Sequence, residues 1–566
     1  MSCLSSFTHT VASVKAWFPV RTKSEMIANL KRNWYFPISA MAYFCFEFDV
    51  AVFFFVSLAL VFSGMLIFAS QTGNVAASAK GKPWYVHLFI VASGVGICWR
   101  GQSHSYPLWK SLSSLQAITQ LLPFQIDLAM WVSVIGAVVA FAFVFISLNF
   151  FWSRMAAIVR DTKLFASASK CEIITCLGIT ILLIIGCSVI FLLTDAFYGT
   201  DALCDLIYTS DSPAHIQRNV FLSLTYYEND LRQPLFAVFS SPFMGLPYLL
   251  GRLLSLPHSI QAIITNAVQI MMLVFTNYLL TKILKLSPGK TVCFMVLLCC
   301  TYTQLLSVLM IEQYIVAYFW LVLCVFLIAE KHKPDPMVLW GAGNTLLTSM
   351  VLLPLVSNSS PVKNFKKWFA DMLKYGFGFI GLMLLFGRFD LFYNLFAQLG
   401  LFSHFTGQNV LFRDKLLQFF EFIHNCILPP MTEIDTVTYD HISWQMRDVT
   451  AINIFGIVIL LLAVISFIVN REKRSSQLAA FWIGFPVVVL VVFGWGTKEN
   501  GLILYSLYFS WAYFALLFQL VEKIQSKLKI KFLIPVMTGL AVAAMLIINI
   551  PAMMEMVDFA ITYYPL

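Results

Sequence analysis

A chain of 566 residues that is 60% hydrophobic and 11% charged, with a mean hydropathy of +0.81, is composed for lipid rather than water. Its net charge of +9 comes from basic residues in short loops between apolar runs, where the positive-inside rule puts them, and so it excludes nucleic acid as a partner. The expected fold is all-α, a polytopic transmembrane helical bundle with large outer loops carrying interfacial helices, because helices satisfy their own backbone polar groups in hydrocarbon.

Residues 1 to 33 hold Lys15, Arg21, Lys23, Lys31 and Arg32 but no apolar core with a cleavage site. They read as a cytosolic basic anchor on anionic lipid, with a transit peptide as the weaker reading. Apolar runs follow at Val50 to Ser70, Trp84 to Trp99 and Ile126 to Trp152. The basic loop with Arg154, Arg160, Lys163 and Lys170 reads as cytosolic too. Three crossings cannot join two cytosolic ends, so one run is re-entrant or a span is hidden; the short Trp84 to Trp99 run is the suspect.

From residue 171 the charges alternate in one pattern. Ile173 to Leu193 leaves the cytosol, and the loop from Thr194 to Pro257 lies outside with an interfacial half-helix at Leu235 to Leu254. Ile260 to Leu280 returns, Cys293 to Ile311 goes out to Glu312, and Tyr314 to Ala329 returns to Lys331 and Lys333. Met337 to Val356 reads as a pair of half-helices entering and leaving on one side, and Tyr375 to Phe386 goes out. Residues 388 to 449 form a second outer loop, amphipathic at Lys415 to Ile427 and irregular from Pro429 to Asp440. Ile452 to Val469 returns, Ala479 to Phe493 goes out to the loop GWGTKENG, Leu502 to Leu520 returns, and Leu533 to Ile550 leaves the C-terminus outside. These make about ten to twelve membrane segments. No internal repeat is visible, and composition divides the chain into residues 1–170, an anchor with extra membrane helices, and residues 171–566, the main bundle.

Most of the twelve cysteines lie in or beside apolar spans; Cys204 and Cys426 fall in outer loops, where a bridge between them stays open. The polar groups that need a reason gather at the outer rim. Asp195, Asp201, Asp205 and Asp211 fall within seventeen residues, followed by His215, Arg218, Asp230 and Arg232. Glu312 ends a span, and Lys498 and Glu499 sit in the late loop. The span centres carry almost no ionisable residues, whereas an ion-coupled transporter keeps carboxylates or broken helices near the midplane. Charge at the rim suits an enzyme whose substrates approach along the membrane surface. Read alone, Asp211 in Ser-Asp-Ser-Pro is an N-cap for a helix that Pro213 starts, with His215 and Arg218 one turn apart on it. Asp195, Asp201 and Asp205 are solvated helix ends, and the basic residues are interfacial snorkels.

The order of TSDSPAHIQRN, NDLRQPLF, IEQYIVAYFWL and WGTKENGLILYSLYF resembles the integral-membrane glycosyltransferases of the GT-C type, over residues 171 to 525. One departure is Gln233, where the related pattern has His. The resemblance implies transfer of a hexose or pentose, with inversion, from a polyprenyl-phosphate-linked donor to a glycan, lipid or cell-wall polymer on the outer face of a bacterial cytoplasmic membrane. Asp211 would be the base, with Asp195 and Asp201 as runners-up. Arg218, Arg232 and Lys498 would hold the phosphate. His215, Gln233, Glu312, Tyr314 and Glu499 would contact substrate, Glu312 by orienting the acceptor or pairing with Lys498. Tyr226, Tyr227 and Tyr314 would stack on sugar. No cofactor is required by the pattern; Asp201 and Asp205 are too sparse for a metal site, while a Mg²⁺ or Mn²⁺ ion at the leaving phosphate stays open. From other classes, a lipid-linked saccharide flippase or transporter and a polysaccharide polymerase are the alternatives.

Overall fold

The structure, a computed structural model, describes residues 21–46, 54–79, 82–111, 113–121, 127–166, 168–199, 205–210, 219–224, 233–330, 335–343, 365–394, 396–397, 400, 406–407, 409–437, 441–497 and 502–566. It is an all-α, multi-pass membrane protein, 77% helical. Among the described residues seven helices are long and apolar enough to cross a membrane, or eight if one bent pair counts as a span. Three shorter apolar helices, Tyr314–Ala329, Tyr375–Leu385 and Ile454–Asn470, supply further segments.

Contacts divide the chain into two units that interleave in sequence: Met1–Lys163 with Val220–Leu256 and Leu353–Leu395, and Leu164–Asn219 with Pro257–Leu352 and Phe396–Leu566. In the first unit the helix Tyr35–Phe44, which the hydropathy reading passed over, packs against Phe54–Gln71 and Leu128–Asp161. It is only ten residues long, too short to register as a span, yet Phe36, Tyr43 and Phe44 surround Phe143 at ring distances of 5.3 to 6.0 Å. The suspected short run is in fact a continuous helix, Trp84–Ser111. It passes Arg100 and tolerates Pro107, because the polar tail GQSHSYPLWK stays helical. The apolar run at Leu235 to Leu254 folds as one helix, Phe236–Leu253, packed against Trp84–Ser111. Two glycines let the backbones touch there. A Cβ on Gly96 would meet the carbonyl oxygen of Gly245 at 2.1 Å, and one on Gly245 would meet that of Ser93 at 2.6 Å.

In the second unit Leu502–Leu528 is the central helix, with 89% of its apolar window buried. Ile454–Asn470, Arg474–Pro486, Phe412–Asn425 and Tyr302–Leu309 pack against it. Its apolar run ends near Leu520, but Glu522 extends it by pairing with Lys290 at 2.5 Å and Lys473 at 3.3 Å. His258–Ile283 packs between Lys170–Phe191 and Tyr314–Ala329, and Lys282 near its end pairs with buried Glu172 at 3.1 Å. The last helix runs from Leu533 to Tyr563, through Pro551, where the sequence reading stopped it.

Two further elements depart from expectation. The run Cys293 to Ile311 is not one straight span: Pro288–Cys299 and Tyr302–Leu309 meet at 66°. Thr301 caps the second piece by accepting from Gln304 N–H. The irregular stretch after Pro429 contains a strand, Thr432–Asp435, paired antiparallel with Ser443–Met446 so that Thr432 faces Met446 and Asp435 faces Ser443. Cys426 is a buried free thiol near the carbonyl of Ser506, and Cys204 lies outside the described residues.

Candidate functional site

The segment after Lys170–Phe191 is tied down by pieces of chain hundreds of residues away. Thr194 pairs with Pro565, its hydroxyl donates to Ala560 O at 3.0 Å, and Asp195 N–H donates to Tyr564 O at 3.3 Å. Asp195 is half-buried at this helix exit, and its own carbonyl accepts from Tyr198 and Gly199. Burial, with the Asp195 carboxylate beside it, pushes the Tyr198 phenol up to about 12.

Residues 205 to 210 form a tight turn with Asp205 and Tyr208 at φ of 63° and 53°. Asp205 N–H closes it by donating to Ser210 O at 2.9 Å. The hairpin strand Ser443–Met446 holds the turn. Tyr208 N–H donates to Trp444 O at 2.7 Å, Trp444 N–H donates to Leu206 O at 2.8 Å, and the Gln445 amide donates to the carbonyls of Asp205 and Tyr208. Below it the hydroxyls of Tyr208 and Tyr302 meet at 2.5 Å.

This anchoring delivers Ser210 to Glu312. The Ser210 hydroxyl donates to Glu312 Oε1 at 2.9 Å, and both residues are buried. The Gln269 amide donates to the Glu312 carbonyl at 2.5 Å, fixing the backbone between Tyr302–Leu309 and Tyr314–Ala329. Tyr314, two residues on, packs its ring against Tyr505 and Tyr508 at 5.8 and 5.9 Å. Glu312 and Tyr314 line a small cavity with Ser307, Met310, Ile503 and Leu504. Its free space is about 10 Å³, room for one water.

Of the candidates read from sequence, Glu312 and Tyr314 therefore share a cavity in the second unit, and Asp195 and Asp205 belong to that unit as well. Gln233 belongs to the first unit, where it is 6% exposed and its side-chain oxygen has no hydrogen-bond donor. Asp201, Asp211, His215, Arg218, Tyr226, Tyr227, Arg232, Lys498 and Glu499 lie outside the described residues. No cluster of three or more His, Cys, Asp or Glu among the described residues is arranged to hold a metal.

The sequence reading missed two groups. Arg388 is 3% exposed and donates to Leu224 O at 2.7 Å, Pro234 O at 3.0 Å and the Asp390 carboxylate at 3.2 and 3.3 Å. A charged pair two residues apart, directly behind an apolar helix, is the signal that could have marked it. The second group is neutral: Asn266, Gln269, Asn277, Gln304 and Asn549, all buried inside apolar helices. A search for ionisable residues passes over them. Each spends its amide N–H groups at the bent helix pair or its flanks. Asn549 donates to Cys300 O at 2.8 Å, Asn266 to Val308 O at 2.9 Å, and Asn277 and Gln304 bond to each other. These bonds supply the donors that carbonyls at a helix break need where water is scarce.

Comparison with protein-family models, with curated proteins and with solved structures finds no match to this chain.

Proposed function

We propose that this protein is an integral-membrane glycosyltransferase of the GT-C type, moving a sugar from a polyprenyl-phosphate donor to a glycan, lipid or cell-wall acceptor. The observation that carries the reading is the Ser210–Glu312 hydrogen bond, which joins the end of the first polar loop's anchored turn to a buried carboxylate at a helix mouth. Ile503 and Leu504, in the WGTKENGLILYSLYF segment at the start of Leu502–Leu528, line the same cavity. Convergence of sequence-distant polar segments on one carboxylate is what group transfer at a membrane surface requires. In this reading Asp211 takes the proton of the acceptor hydroxyl, the acceptor oxygen bonds to the anomeric carbon as the bond to phosphate breaks, and the phosphate leaves against Arg218, Arg232 or Lys498. Glu312 orients the acceptor. The cavity beside Glu312 has room for one water and must widen to admit a sugar.

The test is turnover of purified protein in nanodiscs with a panel of radiolabelled polyprenyl-phosphate sugars and membrane-derived acceptors. Transfer by the wild type and its loss in Asp211→Asn and Glu312→Gln, with donor binding kept, is the expected result. Full activity in Asp211→Asn removes Asp211 as the base, and no turnover of any donor sinks the reading.

A second reading has one specific observation behind it. The 66° bend, with buried amides bonded at and beside it, is the kind of broken helix found in transporters, so lipid-linked saccharide translocation is the alternative. Movement of labelled saccharide across proteoliposomes with the donor intact distinguishes it.

A further inference from the structure

The central helix Leu502–Leu528 ends in a basic elbow before Leu533–Tyr563 begins. From Glu522 to Leu533 the chain reads EKIQSKLKIKFL, and Lys523, Lys527, Lys529 and Lys531 are all exposed. Glu522, the single carboxylate in the stretch, is already held by Lys290 and Lys473. None of the four lysines forms an ion pair among the described residues. The helix dipole favours a cation in the last turn and so accounts for Lys527. It does not reach Lys523, and Lys529 and Lys531 lie past the helix end.

The lysines alternate with large apolar side chains that are exposed as well. Leu528 is 61% and Phe532 72% exposed, and Ile524 and Ile530 are exposed with them. A loop facing bulk water gains nothing by showing four such residues. At the level of lipid headgroups the same pattern is favourable: apolar side chains enter the acyl boundary while ammonium groups stay among the phosphates. Leu533–Tyr563, with only 17% of its apolar window buried, starts directly after Phe532, so the elbow stands at the edge of a face turned to lipid. The elbow is also held in shape. The Gln525 amide donates to Lys531 O at 2.7 Å across the reversal, Leu533 N–H donates to Ile530 O at 3.3 Å, and Lys529 takes a left-handed φ of 55°. Fixing four like charges in so short a stretch is unfavourable unless an anion from outside the chain meets them.

We propose that this elbow is a docking surface for the headgroups of anionic phospholipids. The phosphodiester supplies the negative charge that the chain lacks here, and the acyl chains lie along the exposed apolar face of Leu533–Tyr563. Lysine, a point charge on a flexible stem, suits headgroups that exchange and reorient better than a planar, fixed fork does. This surface goes beyond glycosyl transfer and does not depend on it.

The experiment uses the full chain in neutral detergent with dioleoyl-phosphatidylglycerol or dioleoyl-phosphatidylcholine added at equal mole fraction. Bound lipid is counted by native mass spectrometry, and the thermal midpoint is measured alongside. The expected result is a preference for the anionic lipid on the order of tenfold, weakened by added salt, with a higher midpoint in that lipid. Changing all four lysines to Gln should abolish the preference, and changing all four to Arg should keep it. Arg413→Gln with Arg447→Gln, which removes positive charge remote in sequence from the elbow, should keep it too. Should the four-Gln variant fail to fold, Lys529→Gln with Lys531→Gln, outside the helix, should still cut the preference by roughly half or more. Glycerol phosphate, a headgroup charge without tails, should leave the midpoint unchanged. Equal binding of the two lipids by the wild type, a preference that survives intact in the Gln variants, or stabilisation by glycerol phosphate equal to that by the lipid overturns the proposal. Sugar transfer is not among the readouts, so failure here and failure of the transferase reading are separate events.

Discussion

Asn277, on His258–Ile283, and Gln304, on the second piece of the bent helix pair, grip each other twice, Asn277 Nδ2 to Gln304 Oε1 at 2.7 Å and Gln304 Nε2 to Asn277 Oδ1 at 3.1 Å. Neither residue is more than 1% exposed. Replacing Asn277 leaves the Gln304 amide buried and unpaired, and replacing Gln304 leaves Asn277 only the weak acceptor Cys299 Sγ at 3.4 Å. Asn277→Leu or Gln304→Leu should therefore destabilise the protein by about 1–3 kcal/mol. The double substitution should cost less than the two single losses together, since it removes both orphans. A double-mutant cycle by denaturant unfolding in detergent reads this directly; strict additivity would show that the pair is not coupled.

Gly96 and Gly245 predict a second outcome. Either glycine changed to Ala drives a methyl into a facing carbonyl, so the helices must separate, at about 1–3 kcal/mol. Gly178→Ala is the control, because nothing lies within 4 Å of its added Cβ. That variant should be neutral or slightly stabilised, since Ala favours a helix over Gly by about 1 kcal/mol. Thermal midpoints that fall equally in all three would point to a general intolerance and not to the crossing.

Arg388 holds Leu224 O and Pro234 O, the two ends of the stretch between them, in the first unit. Arg388→Ala should cost about 2–4 kcal/mol, as two buried carbonyls lose a charged donor. Arg388→Lys should recover only part of it, because an ammonium cannot reproduce the planar fork. Thermal unfolding in detergent reads the loss: the midpoint should fall in Arg388→Ala and remain at the wild-type value in an exposed-site control such as Arg413→Ala.

Acid should loosen one helix junction. Burial raises the pKa of Glu421, but hydrogen bonds from His424 and Asn453 outweigh that, and the charge on His424 adds to them, leaving the carboxyl below its ordinary 4.5. Asn453 donates to Glu421 Oε2 at 2.8 Å and also caps Ile454–Asn470. A carboxyl lowered on folding stabilises fully above its unfolded pKa, and that contribution is lost as pH falls through the folded value. The wild type should lose stability below about pH 4.5, and Glu421→Gln should flatten that part of the profile. Identical acid limbs in the two proteins would remove Glu421 as the titrating group.

Part of the architecture was legible because apolar run length is a strong signal: Tyr314–Ala329 falls at the residues hydropathy assigns, and several other spans agree within a few residues, whereas the helices that begin at Trp84, Leu128, Leu502 and Leu533 run well past their expected ends. What hydropathy could not convey was packing. Tyr35–Phe44 is too short to register, and the pairing of Val220–Leu256 with the N-terminal helices depends on two glycines that look unremarkable in sequence. Pro551 reads as a stop, although a helix in lipid can run through it. At the site, Glu312 and Tyr314 stood out by position and do share a cavity. Ser210, Gln269 and Asn266 did not, because a neutral side chain acquires meaning only from the carbonyl or carboxylate it meets after folding.

Two helices turn most of their surface away from their packing partners: only 6% of the apolar window of Lys170–Phe191 and 17% of that of Leu533–Tyr563 is buried. Any greasy side chain will serve on such faces, so over evolutionary time these stretches can drift freely among Ile, Leu, Val and Phe. Selection on this chain would then fall mainly on the sparse, scattered amides and glycines that hold one helix to the next.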